Sequence, residues 1–202
     1  TLEAIRAHGA DGFYRGRVAD LIVAEMERGG GLISHEDLAG YRAVWREPIT
    51  IRYRGHTIYS MPPASSGGIT MGEIFNIMEG YDPLPPFGTP ALMHLEAEAM
   101  RRAFTDRNTY LGDPAFVQNP VERLLSKAYA ADLRKGIGNH ASVTPTFQPA
   151  HTGASTTHYS VVDADGVAVS CTTTLNNSYG SAVTVTGAGF LLNDEMDDFA
   201  TA

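Results

Sequence analysis

The residues of this chain that could do chemistry crowd toward its C-terminal end. The stretch STTHYSVVDADGVAVSCTTTLNNSYGSAVTVTGAGFLLNDEMDDF, residues 155–199, opens on hydroxyl side chains and closes on an acidic run. Thr156 is the candidate nucleophile. A threonine hydroxyl is weak alone and becomes effective when it heads a chain, because its own α-amine can then take the hydroxyl proton. Thr174 is the candidate helper, able to hydrogen-bond the Thr156 hydroxyl. The run that holds Asp194, Glu195, Asp197 and Asp198 can accept hydrogen bonds from an ammonium group, which suits the amino end of an amino-acid substrate. From spacing alone a plainer reading leads: threonines are ordinary in strands, and acidic residues are ordinary in exposed turns, which is the reading kept for Asp194 and Asp197.

Those side chains need a carrier. THYSVVD alternates, Asp163-Ala164-Asp165-Gly166 is a turn signal, and the chain from Val167 to Thr174 alternates back, which predicts a β-hairpin. Counting back from the turn sets position 174 opposite 156, where side chains meet across a ladder. Residues 136–155 carry glycine, proline, threonine and histidine with little apolar periodicity and predict an exposed linker. A linker ending at Thr156 leaves a cleavable bond in front of the nucleophile.

The chain before the linker reads as mostly helical. Val18, Leu21, Ile22 and Met26 recur at helical spacing within residues 1–28, with a break at Gly9–Gly12 and a stop at Gly29–Gly31. Ser34 and Asp37 in SHED have the form of a capping box. Ile49, Ile51 and Tyr53 alternate before an Arg54-Gly55 turn, predicting a second hairpin. MPPASSGG, residues 61–68, precedes a helix over 69–78. Its two glycines could cradle an anion, but the lysine and spacing of a P-loop are missing, and a tightly packed helix start is the better reading. LMHLEAEAMRRAFTDRNTY predicts a helix over 91–110 with Leu92, Leu95, Ala99 and Ala103 on one side. His94, Glu96 and Glu98 lack the HExxH spacing of a metal site, and Arg101 and Arg102 offer ion-pair partners, so a charged helix face is expected there. Another helix starts at Asn119-Pro120 and runs to about Lys135.

Composition narrows the classes. The 202 residues are 43% hydrophobic, enough for a packed core, and carry a net charge of −8. No basic run provides an electrostatic footprint for nucleic acid, and no apolar run is long enough to span a bilayer as a helix. The single cysteine, Cys171, excludes an internal disulfide and is expected to be a buried structural thiol. The first residue is Thr1 rather than Met, and the chain is expected to begin inside a longer protein, with any targeting segment outside it.

The ordered motifs add specific information. TTHYSVVDADGVAVSCTTTLNNSYGS followed by GFLLNDEMDDF resembles the small-subunit start of the γ-glutamyltransferases. FYRG, GGLISHEDLAGY, REPI, MPPASSGG and HLEAEAMRRAFTDRNTYLGDP resemble, in the same order, the end of that family's large subunit. The resemblance implies an α+β N-terminal-nucleophile hydrolase built as an αββα sandwich, of which this chain holds part. It implies self-cleavage between Ser155 and Thr156, so that residues 1–155 belong to the large-subunit region and 156–202 to the small. Thr156 would then attack the γ-amide carbon of a γ-glutamyl compound such as glutathione and pass the acyl group to water, an amino acid or a peptide. Thr174 corresponds to the threonine that assists the nucleophile. Asn176, Glu195 and Asp198 correspond to residues that bind the glutamyl α-amino group. No cofactor or metal is implied, and no nucleic acid partner. The two subunits of one precursor would associate, and the parent would be periplasmic, secreted or at the cell surface.

The family's carboxylate-binding arginine is expected upstream of these residues, and its paired serines and oxyanion-hole glycines downstream. Missing oxyanion donors cost orders of magnitude in rate, so the 202-residue piece alone is expected to be inactive, and its Ser155–Thr156 bond to stay uncut. Two other readings remain. A related acylase acting on glutaryl β-lactam side chains would share the threonine, although Glu195 and Asp198 favour a substrate with an α-amino group. A non-catalytic scaffold member would lack the residues outside this chain.

Overall fold

The computed structural model describes residues 1–143 and 156–198. Ser155, with most of the expected linker, lies outside the described residues. Along the chain run α1 (Leu2–His8), α2 (Asp11–Tyr14), α3 (Gly16–Gly29), α4 (His35–Gly40), β1 (Ile49–Tyr53), β2 (His56–Ser60), α5 (Gly67–Met78), α6 (Pro90–Tyr110), α7 (Val121–Leu124), α8 (Lys127–Lys135), β3 (Thr157–Val162), β4 (Ala168–Thr173) and a 3-10 turn (Glu195–Asp198). The architecture is α+β: β1 pairs antiparallel with β2 and β3 with β4, as two separate two-stranded sheets among the described residues. The described residues form two compact units, one of residues 1–43 and 156–198, the other of residues 44–143. The first unit thus mixes residues from both sides of the 155/156 bond.

In the first unit the helical repeat in α3 does the packing. Val18, Ala19 and Ile22 are buried with Leu38 of α4 and with Val185 and Ala188, and Phe13, Phe190 and Leu192 close around them. Burying such aliphatic side chains stabilises by roughly 1.5–3 kcal/mol each. Three further contacts fix the segment 185–190 to the N-terminal region. The Thr1 hydroxyl donates to the Ala188 carbonyl at 2.6 Å. The Thr186 N–H donates to Glu25 at 3.2 Å, which together with Arg28 holds that carboxyl below its ordinary range. The Phe13 and Phe190 rings lie 5.6 Å apart. The helix ends at Gly30, in the left-handed region at φ 73°, where its N–H reaches the Met26 carbonyl. Ser34 and Asp37 form the expected capping box at the start of α4.

In the second unit α5 packs on α6, on α8 and on the β1–β2 hairpin. Ile77, Met78, Leu92, Ala99 and Ala130 bury one cluster and Ile49, Ile51, Ile69 and Leu124 a second. The second glycine of MPPASSGG serves packing: a Cβ on Gly68 would lie 2.4 Å from the Met61 carbonyl oxygen. Ser66 accepts a hydrogen bond from Arg107 Nε at 2.9 Å instead of capping α5.

Four expectations are corrected here. The helix expected from Asn119-Pro120 to Lys135 is two, because Ser126 caps a new start by accepting from the Tyr129 N–H. Glu98 is not on a charged surface face but buried, 1% exposed, with Arg101 and Arg102 as its ion-pair partners. The described start of the expected linker is tied down. The Ser142 N–H and hydroxyl donate to the two Glu98 oxygens at 2.9 and 2.5 Å, and Arg102 donates to the Gly136 carbonyl at 2.6 Å. Cys171 is only half-buried, because β4 has no layer packed on it among the described residues.

Candidate active site

The β3–β4 hairpin forms where the local code asks for it. Asp163 Oδ1 accepts from the N–H groups of Asp165 and Val167 at 3.0 and 2.9 Å, and Gly166 takes the left-handed conformation at φ 82°. The register pairs Val162 with Ala168 next to the turn and Thr157 with Thr173 at the far end. The pairing ends there: Thr156 and Thr174 lie one residue beyond the last pair, and the Thr174 hydroxyl is engaged with Asn176. Strand alternation puts His158 and Ser160 on one face with Ser170 and Thr172. Tyr159, Val161, Val169 and Cys171 occupy the other face.

His158 knits the polar face together. Its Nδ1 is 2.8 Å from Thr172 Oγ1, and its Nε2 is 2.9 Å from Ser170 Oγ. His158 is not among the candidate residues named from the sequence. The signal was available: an imidazole at the second position after the nucleophile, flanked across the ladder by two hydroxyls.

Beyond β4 the chain turns sharply. The Thr174 hydroxyl accepts from the Asn176 N–H at 2.8 Å and lies 3.3 Å from the Asn176 carbonyl. This local turn lets Asn176 adopt φ 73°, which asparagine tolerates better than most residues. Asn176 Nδ2 donates to the Asp194 carbonyl at 3.2 Å, and the Asp194 N–H returns to the Leu175 carbonyl at 3.1 Å. Gly180 allows the two segments to approach: its φ is 57°, and a Cβ there would lie 2.1 Å from the Leu192 carbonyl oxygen. The 183–192 segment pairs with itself between Thr184 and Leu191 and is anchored on α3 through Val185. The apolar pattern of α3 therefore fixes the segment that leads into Glu195.

Each candidate residue can now be located. Thr156 is exposed at the open end of β3, Thr174 sits in the turn that leads to Asn176, and Asn176 is bound to the 193–195 segment. Glu195 begins the 3-10 turn, its N–H donating to Asn193 Oδ1 at 3.1 Å. Asp198 enters only as the last residue of that turn, and Ser155 falls outside the described residues. Asp194, expected to be an idle exposed acid, is instead engaged. Its Oδ1 accepts from the Asn177 N–H at 3.0 Å and its Oδ2 from Asn177 Nδ2. The Asn177 side chain, then the Asn177 N–H, hold the Asp194 carboxyl below its ordinary range.

The candidate site thus brings together the turn after β4, which carries Thr174 and Asn176, and the 193–195 segment, which carries Glu195, with Thr156 at the open end of β3. Over residues 1–202 the chain matches the family model described as gamma-glutamyltranspeptidase, and it belongs to that family. It is 49% identical over 207 aligned positions to the glutathione hydrolase proenzyme of Pseudomonas sp. (strain A14), covering 100% of this chain and 36% of that protein. The chain therefore spans about a third of that relative's length. Among solved structures it resembles Helicobacter pylori gamma-glutamyltranspeptidase, with 42% identity, a TM-score of 0.69, and coverage of 76% of this chain and 46% of the other. It also resembles the cephalosporin acylase of Bacillus halodurans, with 34% identity, a TM-score of 0.84, and coverage of 98% and 36%.

Proposed function

We propose that this chain is the central part of a self-processing γ-glutamyl hydrolase and transferase acting on glutathione and related γ-glutamyl compounds. The observation that supports it best is the convergence, within one compact unit, of the Thr156 strand end, Thr174, Asn176 and the 193–195 segment. In the proposed mechanism the Thr156 hydroxyl adds to the Ser155 carbonyl, the peptide nitrogen leaves and is protonated, and water hydrolyses the ester. The freed α-amine of Thr156 then serves as its base. The mature hydroxyl attacks the γ-amide carbon, the amine of cysteinylglycine leaves, and water or an amino acid or peptide takes the acyl group. Asn176, Glu195 and Asp198 accept the three protons of the substrate ammonium.

The exposed faces of β3 and β4 support a larger assembly. A lone two-stranded hairpin is marginal in water, so further layers are expected on both sides, as in an αββα sandwich. Residues 1–155 and 156–202 would be the contributions of the large and small subunits, held together after cleavage. The processed enzyme is proposed to work in the periplasm, at the cell surface or outside the cell.

The test is Thr156→Ala in the full proenzyme. The variant should give one intact mass instead of two fragments meeting at 155/156, and release no p-nitroaniline from γ-glutamyl-p-nitroanilide. Cleavage at that bond in the variant would overturn the mechanism. The likeness to a cephalosporin acylase over 98% of the chain supports a second reading, hydrolysis of glutaryl side chains from β-lactams. Faster turnover of a glutaryl anilide than of its γ-glutamyl counterpart would favour it.

A further inference from the structure

The polar contacts behind Asn176 are made by a residue with no assigned role. Asp194 is joined to 175–177 by four hydrogen bonds given above, two through its carboxylate and two through its backbone N–H and carbonyl. The chain bearing Asn176 and the chain bearing Glu195 are separate loops, and each is short of regular structure. Without a link their acceptors would have to be ordered by the substrate, and that ordering reduces affinity.

We propose that Asp194 and Asn177 form a positioning pair that holds Asn176 and Glu195 at the spacing of one ammonium group, and so sets the enzyme's preference for donors that carry an α-amine. The proposal rests on the functional reading above. The geometry is specific to the pair: Asn177 offers a backbone N–H and a side-chain amide, and the Asp194 carboxylate takes one with each oxygen. A carboxylate bonded in this forked way is fixed in two directions. Asp194 is adjacent to Glu195, and Asn177 is adjacent to Asn176, so fixing the pair fixes both neighbours. Asp194 itself is occupied by Asn177 and need not touch the substrate.

The experiment uses the full proenzyme with three variants: Asp194→Ala, Asn177→Asp, and the exchange Asp194→Asn with Asn177→Asp. In the exchange the acid and amide trade places, and an amide–carboxylate bond can form again. For Asp194→Ala the KM for γ-glutamyl-p-nitroanilide should rise about five- to thirtyfold, the size expected from losing one or two hydrogen bonds, with kcat little changed. The inhibition constant of L-glutamate should rise by the same factor and that of glutarate, which lacks the amine, should stay constant. Asn177→Asp alone sets two acids together and should be worse than wild type, while the exchange should recover most of the lost affinity. Equal weakening of glutamate and glutarate would overturn the proposal, as would an unchanged KM in Asp194→Ala or an exchange no better than Asn177→Asp. Should Asp194→Ala fail to fold, the exchange decides alone. A wild-type proenzyme that cleaves no γ-glutamyl anilide would instead refute the functional reading, which separates the two failures.

Discussion

Glu73 on α5 should make the second unit less stable as pH rises, and replacing it with glutamine should remove that dependence. Glu73 is 1% exposed and its Oε1 has no hydrogen-bond partner among the described residues. Facing it are Asp106 from α6, Tyr129 from α8 and Arg123 from α7. Burial first, then the charge of Asp106, push the Glu73 carboxyl up to about 9. The Tyr129 hydroxyl donates to Asp106 at 2.7 Å, and the Arg123 guanidinium lies over the Tyr129 and Tyr110 rings. Glu73 thus keeps a proton in the folded state. In the unfolded chain Glu73 loses that proton near 4.5. Between those values the folded state holds one proton more than the unfolded state, so stability falls as pH rises, by about 1.4 kcal/mol per unit for a full proton. Across neutral pH this amounts to a few kcal/mol, the order of the whole stability margin of a domain. Glutamine keeps the shape, donates to Asp106 and does not titrate. The melting temperature of Glu73→Gln relative to wild type should therefore climb steadily from pH 5 to pH 9, by several degrees in all. A difference that stays flat across that range would refute the shared proton.

The remaining predictions concern the clamp on the linker and the close approach behind the site. Glu98→Ala should destabilise by about 3–5 kcal/mol, because it leaves Arg102 and the Ser142 N–H without their partner, and limited proteolysis should cut near residue 142 sooner. Burial alone would raise the Glu98 carboxyl, but the Ser142 and Arg102 hydrogen bonds hold it at about 2. The folded value lies below the unfolded one, so the clamp's contribution is present above about pH 4.5 and lost only as pH falls toward 2. Acid unfolding of wild type and Glu98→Gln should converge there. Gly180→Ala should cost more than the ~1–2 kcal/mol of left-handed strain, since the new methyl would also meet the Leu192 carbonyl. Differential scanning fluorimetry checks the loss, and a KM increase without a matching fall in kcat would show that the 193–195 segment has moved.

What could be read in the residues, and what could not, follows from the range over which each signal acts. The β3–β4 hairpin was legible because its turn chemistry and alternation lie within about a dozen residues, and the register follows from the turn alone. The capping box at Ser34 and Asp37 and the stop at Gly30 are equally local. The partners of polar groups are not local. Glu98 looked like one member of a charged helix face because Arg101 and Arg102 stand at helical spacing. Its other partner, Ser142, is 44 residues away, and only that contact turns a surface pair into a buried clamp. Asp194 looked idle for the same reason, since Asn177 lies 17 residues earlier on another loop. The proposed nucleophile is different again: nothing in spacing separates Thr156 from the other hydroxyls of the hairpin, and only the order of motifs along the whole chain singles it out. A site of this kind is therefore found from the residues that touch substrate, while the residues that aim them become visible only when distant segments are brought together. On the proposed reading Asp194 belongs to the second class, and a substitution there should alter what the site accepts without altering the bond it breaks.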